Sequence, residues 1–307
     1  MLRRRLLLGG EKVPQGEPIR VVQLLNAYQR RTCQIYDKKL LLPRSDSGGP
    51  NALETFDMIT ETITLSHILL SFQRNTSQIY NNSLCLPNGN GSSILLHNYL
   101  TNIGTSFNLS GNLQRYTSQI AGYLLYIPSS SNSVLEIVNL NSRTVRTVTL
   151  SIIMNRLTCQ ISNNRLYMPQ SNGIILEIFD IGNETTKQVS LLNYLIRNTS
   201  QIWNNQLYLP AGSGAKLEIF DLNSETTREV VLPTNMERMT SVIYNDCLYM
   251  PENNGTKLEI FDLNSETSRV VTLPTNMSRA TCQIDNGMLY LPQNGGTNLE
   301  IVNLNLI

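Results

Sequence analysis

One guanidinium recurs through the whole chain, at Arg30, Arg74, Arg115, Arg156, Arg197, Arg238 and Arg279. Each stands two residues before a threonine of the set Thr32, Thr76, Thr117, Thr158, Thr199, Thr240 and Thr281. Arginine's planar fork suits recognition of carboxylate or phosphate. Seven such groups at one repeat position, gathered around an axis, would make an anion-binding mouth. The same arginines could instead be structural. Glu54, Glu136, Glu177, Glu218, Glu259 and Glu300 recur later in six of the seven copies and offer each arginine a partner. Uniformity in every copy favours the structural reading, because a ligand site usually breaks the symmetry of a repeat.

Other chemistry is sparse. His67 and His97 are the two histidines, and an isolated histidine in a strand is more often core or surface than a general base. No Gly-x-Ser-x-Gly, no His-Glu-x-x-His and no phosphate-cradling glycine loop occurs, so no enzyme activity and no cofactor is expected. Among the five cysteines, Cys33, Cys159 and Cys282 directly follow the recurring threonine, where other copies have Ser77, Ser118, Ser200 and Ser241. Exchange with serine implies a small side chain in a tight place. No cysteine pair has zinc spacing, so free structural thiols and no metal are expected. Cys247 falls in a predicted hairpin turn. The glutamine at Gln34, Gln78, Gln119, Gln160, Gln201 and Gln283 gives way once to Val242, which marks it as structural. Trp203 stands where other copies have tyrosine, so packing explains it as well as sugar stacking does.

The elements that must carry these residues follow from the period. From Thr32 to Thr76 is 44 residues, and every later step, such as Thr76 to Thr117, is 41. A period near forty with four short β-patterned runs is the mark of a propeller blade. In each copy strand a holds Thr-x-Gln-Ile and strand b ends in a proline, at Pro43, Pro87, Pro128, Pro169, Pro210, Pro251 and Pro292. Proline cannot donate to a ladder, so pairing stops there and a loop leaves. Strand c is the Leu-Glu-Ile-Phe-Asp run and strand d the Arg-x-Val-x-Leu run. Between a and b stand pairs such as Asn81-Asn82, Ala121-Gly122 and Asn204-Asn205, which tolerate the positive φ of a tight hairpin. Asp57, Asn98, Asn139, Asp180, Asp221, Asp262 and Asn303 open the c–d turns, where a short side chain bonds the backbone two residues on. The first b–c loop is longer by three residues, at 44–50. The second copy departs furthest from the repeat, with His97 and Tyr99 in its strand c.

The seventh copy runs out after strand c. The missing strand d is at the front: Ile19–Leu24 aligns with Thr227–Leu232, Arg20 on Arg228 and Leu24 on Leu232. The expected fold is therefore all-β, a seven-bladed propeller of four-stranded antiparallel blades over 19–307, its ring closed by the N-terminal strand. Residues 1–18 are expected to be a tail. Its opening holds three leucines, too few for a secretory signal. Met1-Leu-Arg-Arg-Arg-Leu-Leu resembles the starts of some phage virion proteins.

The layout over Ile19–Ile307 resembles the kelch repeat. An arginine precedes strand a, a Leu-Tyr run forms strand b, and Leu-Glu-Ile-Phe-Asp stands where kelch copies carry an acidic-aromatic-Asp stretch. Two features depart: proline rather than a Gly-Gly doublet ends strand b, and no tryptophan marks strand d. The resemblance implies a kelch-like topology and, since kelch propellers mostly bind proteins, a protein partner.

Composition narrows the partners further. Net charge is +1 with 15% charged residues, so no basic field advertises nucleic acid. No apolar run reaches the roughly 20 residues of a membrane-spanning helix. Chain direction puts the arginine ring, the d–a connections and the variable b–c loops on one face, and variable loops on a rigid scaffold are where binding sits. The expected function is binding or scaffolding of a protein through that face. The alternatives are a virion-associated or adhesive glycan-binding module, suggested by the Asn/Ser/Gly loops, and a propeller-type enzyme. The expected location is the cytoplasm, or the virion if the chain is of phage origin.

Overall fold

The computed structural model describes residues 17–45, 52–68 and 73–307. These form 28 strands in seven four-stranded antiparallel sheets and no helix. Most of the leader and most of the long first b–c loop lie outside the described residues. Strand β1 (Ile19–Tyr28) stands apart in sequence from its sheet. Blade one follows as β2 (Gln34–Tyr36), β3 (Lys39–Pro43), β4 (Ala52–Asp57) and β5 (Ile63–His67), in spatial order a-b-c-d. Five further blades repeat that order.

The seventh blade closes the ring. β1 lies antiparallel beside the last strand (Gly296–Asn303), with Ile19 opposite Val302, Val21 opposite Glu300 and Gln23 opposite Asn298. The two ends of the propeller thus share one sheet, and the inner strand of blade seven also contacts that of blade one. Leu24 is buried in the layer between these blades with Leu40, Phe56, Tyr290 and Ile301, while Leu25 next to it is exposed.

Burial follows strand position. Strands b and c are nearly continuous apolar runs because neighbouring blades cover both of their faces. In Val134–Asn139, for example, Leu135 to Val138 are all buried. Outer strands such as Thr144–Thr149 are mostly exposed. The core is consequently a set of layers between blades rather than one central mass.

The turns follow the expected chemistry with one shift. Asn81 and Asn82 have φ of 43° and 59°, and the Asn-Asn pairs of blades four and five behave alike. In blade three Ala121 pairs with Leu124, so the two-residue loop is Gly122-Tyr123 rather than Ala121-Gly122. Only Gly122 has a positive φ there, 60°, which matches a hairpin turn needing glycine first. Cys247 likewise belongs to strand b (Cys247–Pro251) and not to the turn before it. At the c–d turns, Asp57 accepts from the Ile59 and Thr60 amides, and Asn98 from those of Leu100 and Thr101.

Two outcomes follow. Leu24→Ala should cost about 2–5 kcal/mol in urea denaturation, as for other buried leucines. The neighbouring Leu25→Ala should stay within about 0.5 kcal/mol. Equal costs would mean that β1 does not seal the ring in solution. The turn carboxylates give a pH dependence. Backbone amides, that of Thr60 above all for Asp57, Ser224 for Asp221 and Ser265 for Asp262, hold these acids below the usual carboxylate range. Stability from a depressed carboxylate is present above its unfolded pKa and is lost as pH falls through the folded one. The triple variant Asp57→Asn/Asp221→Asn/Asp262→Asn keeps the turn bonds that Asn98 makes. Its Tm should therefore fall less than that of the unaltered chain between about pH 5 and pH 3.

Candidate functional site

The seven arginines are inside the protein, not open at a channel mouth. Each is at most 1% exposed. Six form ion pairs with the glutamate on strand c of their own blade: Arg30–Glu54, Arg115–Glu136, Arg156–Glu177, Arg197–Glu218, Arg238–Glu259 and Arg279–Glu300, with both side chains fully enclosed. In blade two Leu95 takes the glutamate's place, and Arg74 donates to the Arg44 carbonyl at 2.8 Å.

The guanidinium also binds backbone. Arg156 Nη1 donates to the Ser129 and Asn132 carbonyls of the preceding blade's b–c loop, at 3.0 and 2.8 Å, and to the Met154 carbonyl at 3.3 Å. Its Nη2 donates to the Ile152 carbonyl at 2.8 Å and to Glu177 at 2.6 Å. Arg197, Arg238 and Arg279 repeat this pattern, each on the loop of the blade before it. Arg30 repeats it across the closure, reaching the Gln293 and Gly296 carbonyls of blade seven. Each of the six paired arginines therefore ties strand c, the d–a linker and the neighbouring blade's loop into one knot. Burial presses the Arg156 pKa down, and the bond to Glu177 works against it. A fork enclosed in this way, with both Nη groups bonded, presents no accessible edge to a ligand carboxylate.

Two further rings encircle the axis. The threonine of each blade bonds the serine or cysteine of the next: Thr158 to Ser200 and Thr199 to Ser241 at 2.7 Å, and Thr117 to Cys159, Thr240 to Cys282 and Thr281 to Cys33 at 3.2 Å. Thr32–Ser77 and Thr76–Ser118 complete the circle. Just beside it, Gln34, Gln78, Gln119, Gln160, Gln201 and Gln283 each donate to the backbone carbonyl of that same serine or cysteine. Val242 breaks this second ring once. Serine and cysteine exchange freely because either satisfies the threonine hydroxyl. All five cysteines are free, and burial pushes Cys85, Cys159 and Cys282 up to about 12. They are poor nucleophiles. Among the described residues no group of three or more His, Cys, Asp or Glu could hold a metal ion.

What remains accessible on the arginine side is the surface above these ties. The d–a linkers run over the b–c loops, as when Asn172 N–H donates to Leu195 O and Gly212 N–H to Ile196 O. Around blades three to five this surface is apolar. Ile153 is 71% exposed, Tyr194 68% and Leu192 56%, with Ile174 and Ile196 also exposed beside them. The equivalent linkers of blades five and six read Pro233-Thr-Asn-Met and Pro274-Thr-Asn-Met instead. In the sequence the patch carries no motif, and its one mark is Leu192-Asn-Tyr-Leu195 standing against the Pro-Thr-Asn-Met pattern.

No family model matches the sequence, and no curated protein matches it. Solved structures do. Virginiamycin B lyase from Staphylococcus aureus superposes with a TM-score of 0.82 at 10% identity, over 93% of this chain and 99% of that one. YCF48 bound to D1 peptide gives 0.76 at 11% identity, over 94% and 96%. The WD40 domain of Neurospora crassa Pan2 gives 0.74 at 12%, over 94% and 96%. What they share with this chain is the propeller fold. Similarity at this level carries architecture and no activity.

Arg156→Ala leaves Glu177 buried without its counter-charge and should cost about 3–5 kcal/mol in chemical denaturation. Cys159→Ser keeps a partner for Thr117 and should change stability by under about 1 kcal/mol, whereas Cys159→Val should cost about 1–3 kcal/mol by orphaning that hydroxyl. Near-neutral results for both Arg156→Ala and Cys159→Val would show that the buried ties are not what holds the blades in register.

Proposed function

We propose that this chain is a non-enzymatic binding propeller that engages a protein partner through the face of the b–c loops and d–a linkers. The apolar arc of Ile153, Ile174, Leu192, Tyr194 and Ile196 carries the reading. Scattered exposed apolar residues are ordinary, but five on the linkers and loop of successive blades favour an interaction surface there. Tyrosine and isoleucine anchors fit a protein partner better than a hydrated glycan or an anion. A ring of seven buried ties beneath them holds the surface rigid, so binding sacrifices little ordering entropy. YCF48 is a propeller of the same fold with a peptide bound. That parallel supports a protein partner for this propeller.

The catalytic alternative finds less support. A histidine-to-alanine variant of the staphylococcal lyase is catalytically inactive. Here His97 is buried in strand c of blade two, and His67 ends the outer strand β5. Neither belongs to an inner strand.

The test is affinity capture from a lysate of the source cells, read by quantitative mass spectrometry. Ile153→Ser/Leu192→Ser/Tyr194→Ser alters exposed side chains and should leave Tm nearly unchanged. It is expected to lose one specifically captured protein by about tenfold or more, whereas Ser142→Arg/Ser224→Arg on the opposite face retains it. Equal capture by the triple variant, or no specific capture by the unaltered chain, would remove the proposal. Self-association that the triple variant abolishes would do so too, by making a second copy the occupant.

A further inference from the structure

The repeat is broken on both sides of blade two, and at its junction with blade one the changes fall at five positions that meet in space. At four other junctions a strand b tyrosine packs against a strand c phenylalanine of an adjacent blade, as in Tyr290–Phe56 and Tyr126–Phe179, with ring centroids 6.3 and 6.5 Å apart, while Cys85 and Val138 stand in those places between blades two and three. Between blades one and two Leu41 stands for the tyrosine and His97 for the phenylalanine. Thr55 replaces the isoleucine seen as Ile137, Ile178, Ile219, Ile260 and Ile301. At the rim, four other junctions bridge an outer-strand cation to a glutamate of the next c–d turn: Arg20–Glu61, Arg146–Glu184, Lys187–Glu225 and Arg228–Glu266. Thr64 and Asn102 occupy those two places here.

Together the five changes open a cleft of about 180 Å³. Leu41 and Leu53 form an apolar floor, and Tyr99, tilted against Tyr36 at 4.7 Å between centroids, adds an aromatic wall. Facing them are the side chains of Thr55, Thr64, Ser66 and Asn102, with Lys39 and Asp57 as one charge of each sign. His97 lines the same cleft. It is 1% exposed, and its Nδ1 has no hydrogen-bond partner among the described residues. Burial holds its pKa below the usual value, favouring the neutral imidazole.

We propose that this cleft binds a small neutral polyol the size of a single sugar residue. The volume is well under the roughly 300–1,000 Å³ of a drug-sized pocket. The opposed charges of Lys39 and Asp57 leave no net field to select an ion. An apolar floor facing hydroxyl and amide groups matches a molecule with a C–H face and a rim of hydroxyls. The His97 imidazole lines the cleft beside Asn102, with an enclosed nitrogen that no described residue satisfies. The cleft is reached from the outer rim at the c–d turns, away from the apolar arc, so the site does not depend on the protein-binding reading.

The experiment uses saturation-transfer NMR on the full chain with glucose, galactose, mannose, fucose, N-acetylglucosamine and myo-inositol as separate probes. Leu41→Tyr/Thr55→Ile/His97→Phe rebuilds the repeat and should fill the cleft with Tm unchanged or raised. A second variant, Thr64→Arg/Asn102→Glu, changes two exposed residues and restores the rim bridge across the cleft's entrance. At least one probe should receive saturation from the unaltered chain, with affinity falling about tenfold or more in both variants. Should the rebuilt chain fail to fold, the rim variant alone decides the matter. No transfer to any probe, or equal transfer in the unaltered chain and the folded variants, would overturn the proposal.

Discussion

The fold depends on a problem of backbone satisfaction at the inner end of each blade. There the chain leaves strand d and crosses to the next blade over the b–c loops, turning carbonyls such as those of Ile152 and Met154 inward toward the arginine. Buried carbonyls without partners are costly. Arginine answers this better than any other side chain, because one group brings several donors in a fixed plane. In six blades its charge is met by the strand c glutamate, whose other oxygen in most of them accepts from the linker amide, as Glu136 does from Ser110 and Glu218 from Leu192. A buried ion pair adds little net stability over an apolar pair. Its value here is geometric, since it fixes three chain segments from two blades in one arrangement.

The inner rings work at a second level. Blade-to-blade contact through apolar layers is strong but slides easily, whereas a threonine hydroxyl that must meet one serine or thiol admits a single register. Cysteine and serine therefore alternate around the circle without disturbing it, and the thiols remain protonated in their enclosed sites. β1 completes this arrangement rather than merely capping an edge. By pairing with Gly296–Asn303 it lets Arg30 grip the last b–c loop, so the closing junction carries the same tie as the other blades.

Much of this was legible in the sequence because a repeat averages out local ambiguity. The position of the missing strand d could be read from Ile19–Leu24 alone, and the c–d turn residues declare their own hydrogen bonds. The direction in which the arginines point could not be read. An Arg-x-Thr spacing places the side chain near the axis but does not say whether linker carbonyls or solvent will meet it, since that depends on loops whose conformation no pattern specifies. The threonine ring was hidden for a related reason. Its bonds join residues about 42 positions apart, and Ser/Cys exchange looks like a rule of size until the partner hydroxyl is seen. Blade three's turn slipped by one residue because Ala121-Gly122 and Gly122-Tyr123 both contain the needed glycine.

Departures from the repeat are where a propeller can acquire function, and the physics of packing separates two kinds. Shortening a core side chain alone leaves a dry void, which costs in proportion to its volume. At the junction of blades one and two, loss of bulk at Leu41 and His97 comes with threonine in place of isoleucine and with loss of the rim ion pair. Water can then enter and hydrate the new walls, which lowers the penalty that a sealed cavity would carry. Such a site is stable when empty and still presents groups that a ligand can satisfy. The arc at Ile153, Leu192 and Tyr194 is the opposite case, apolar surface added to a loop face where nothing in the core requires it. The clamped arginines beneath allow both, because they hold the backbone in place whatever the exposed side chains become.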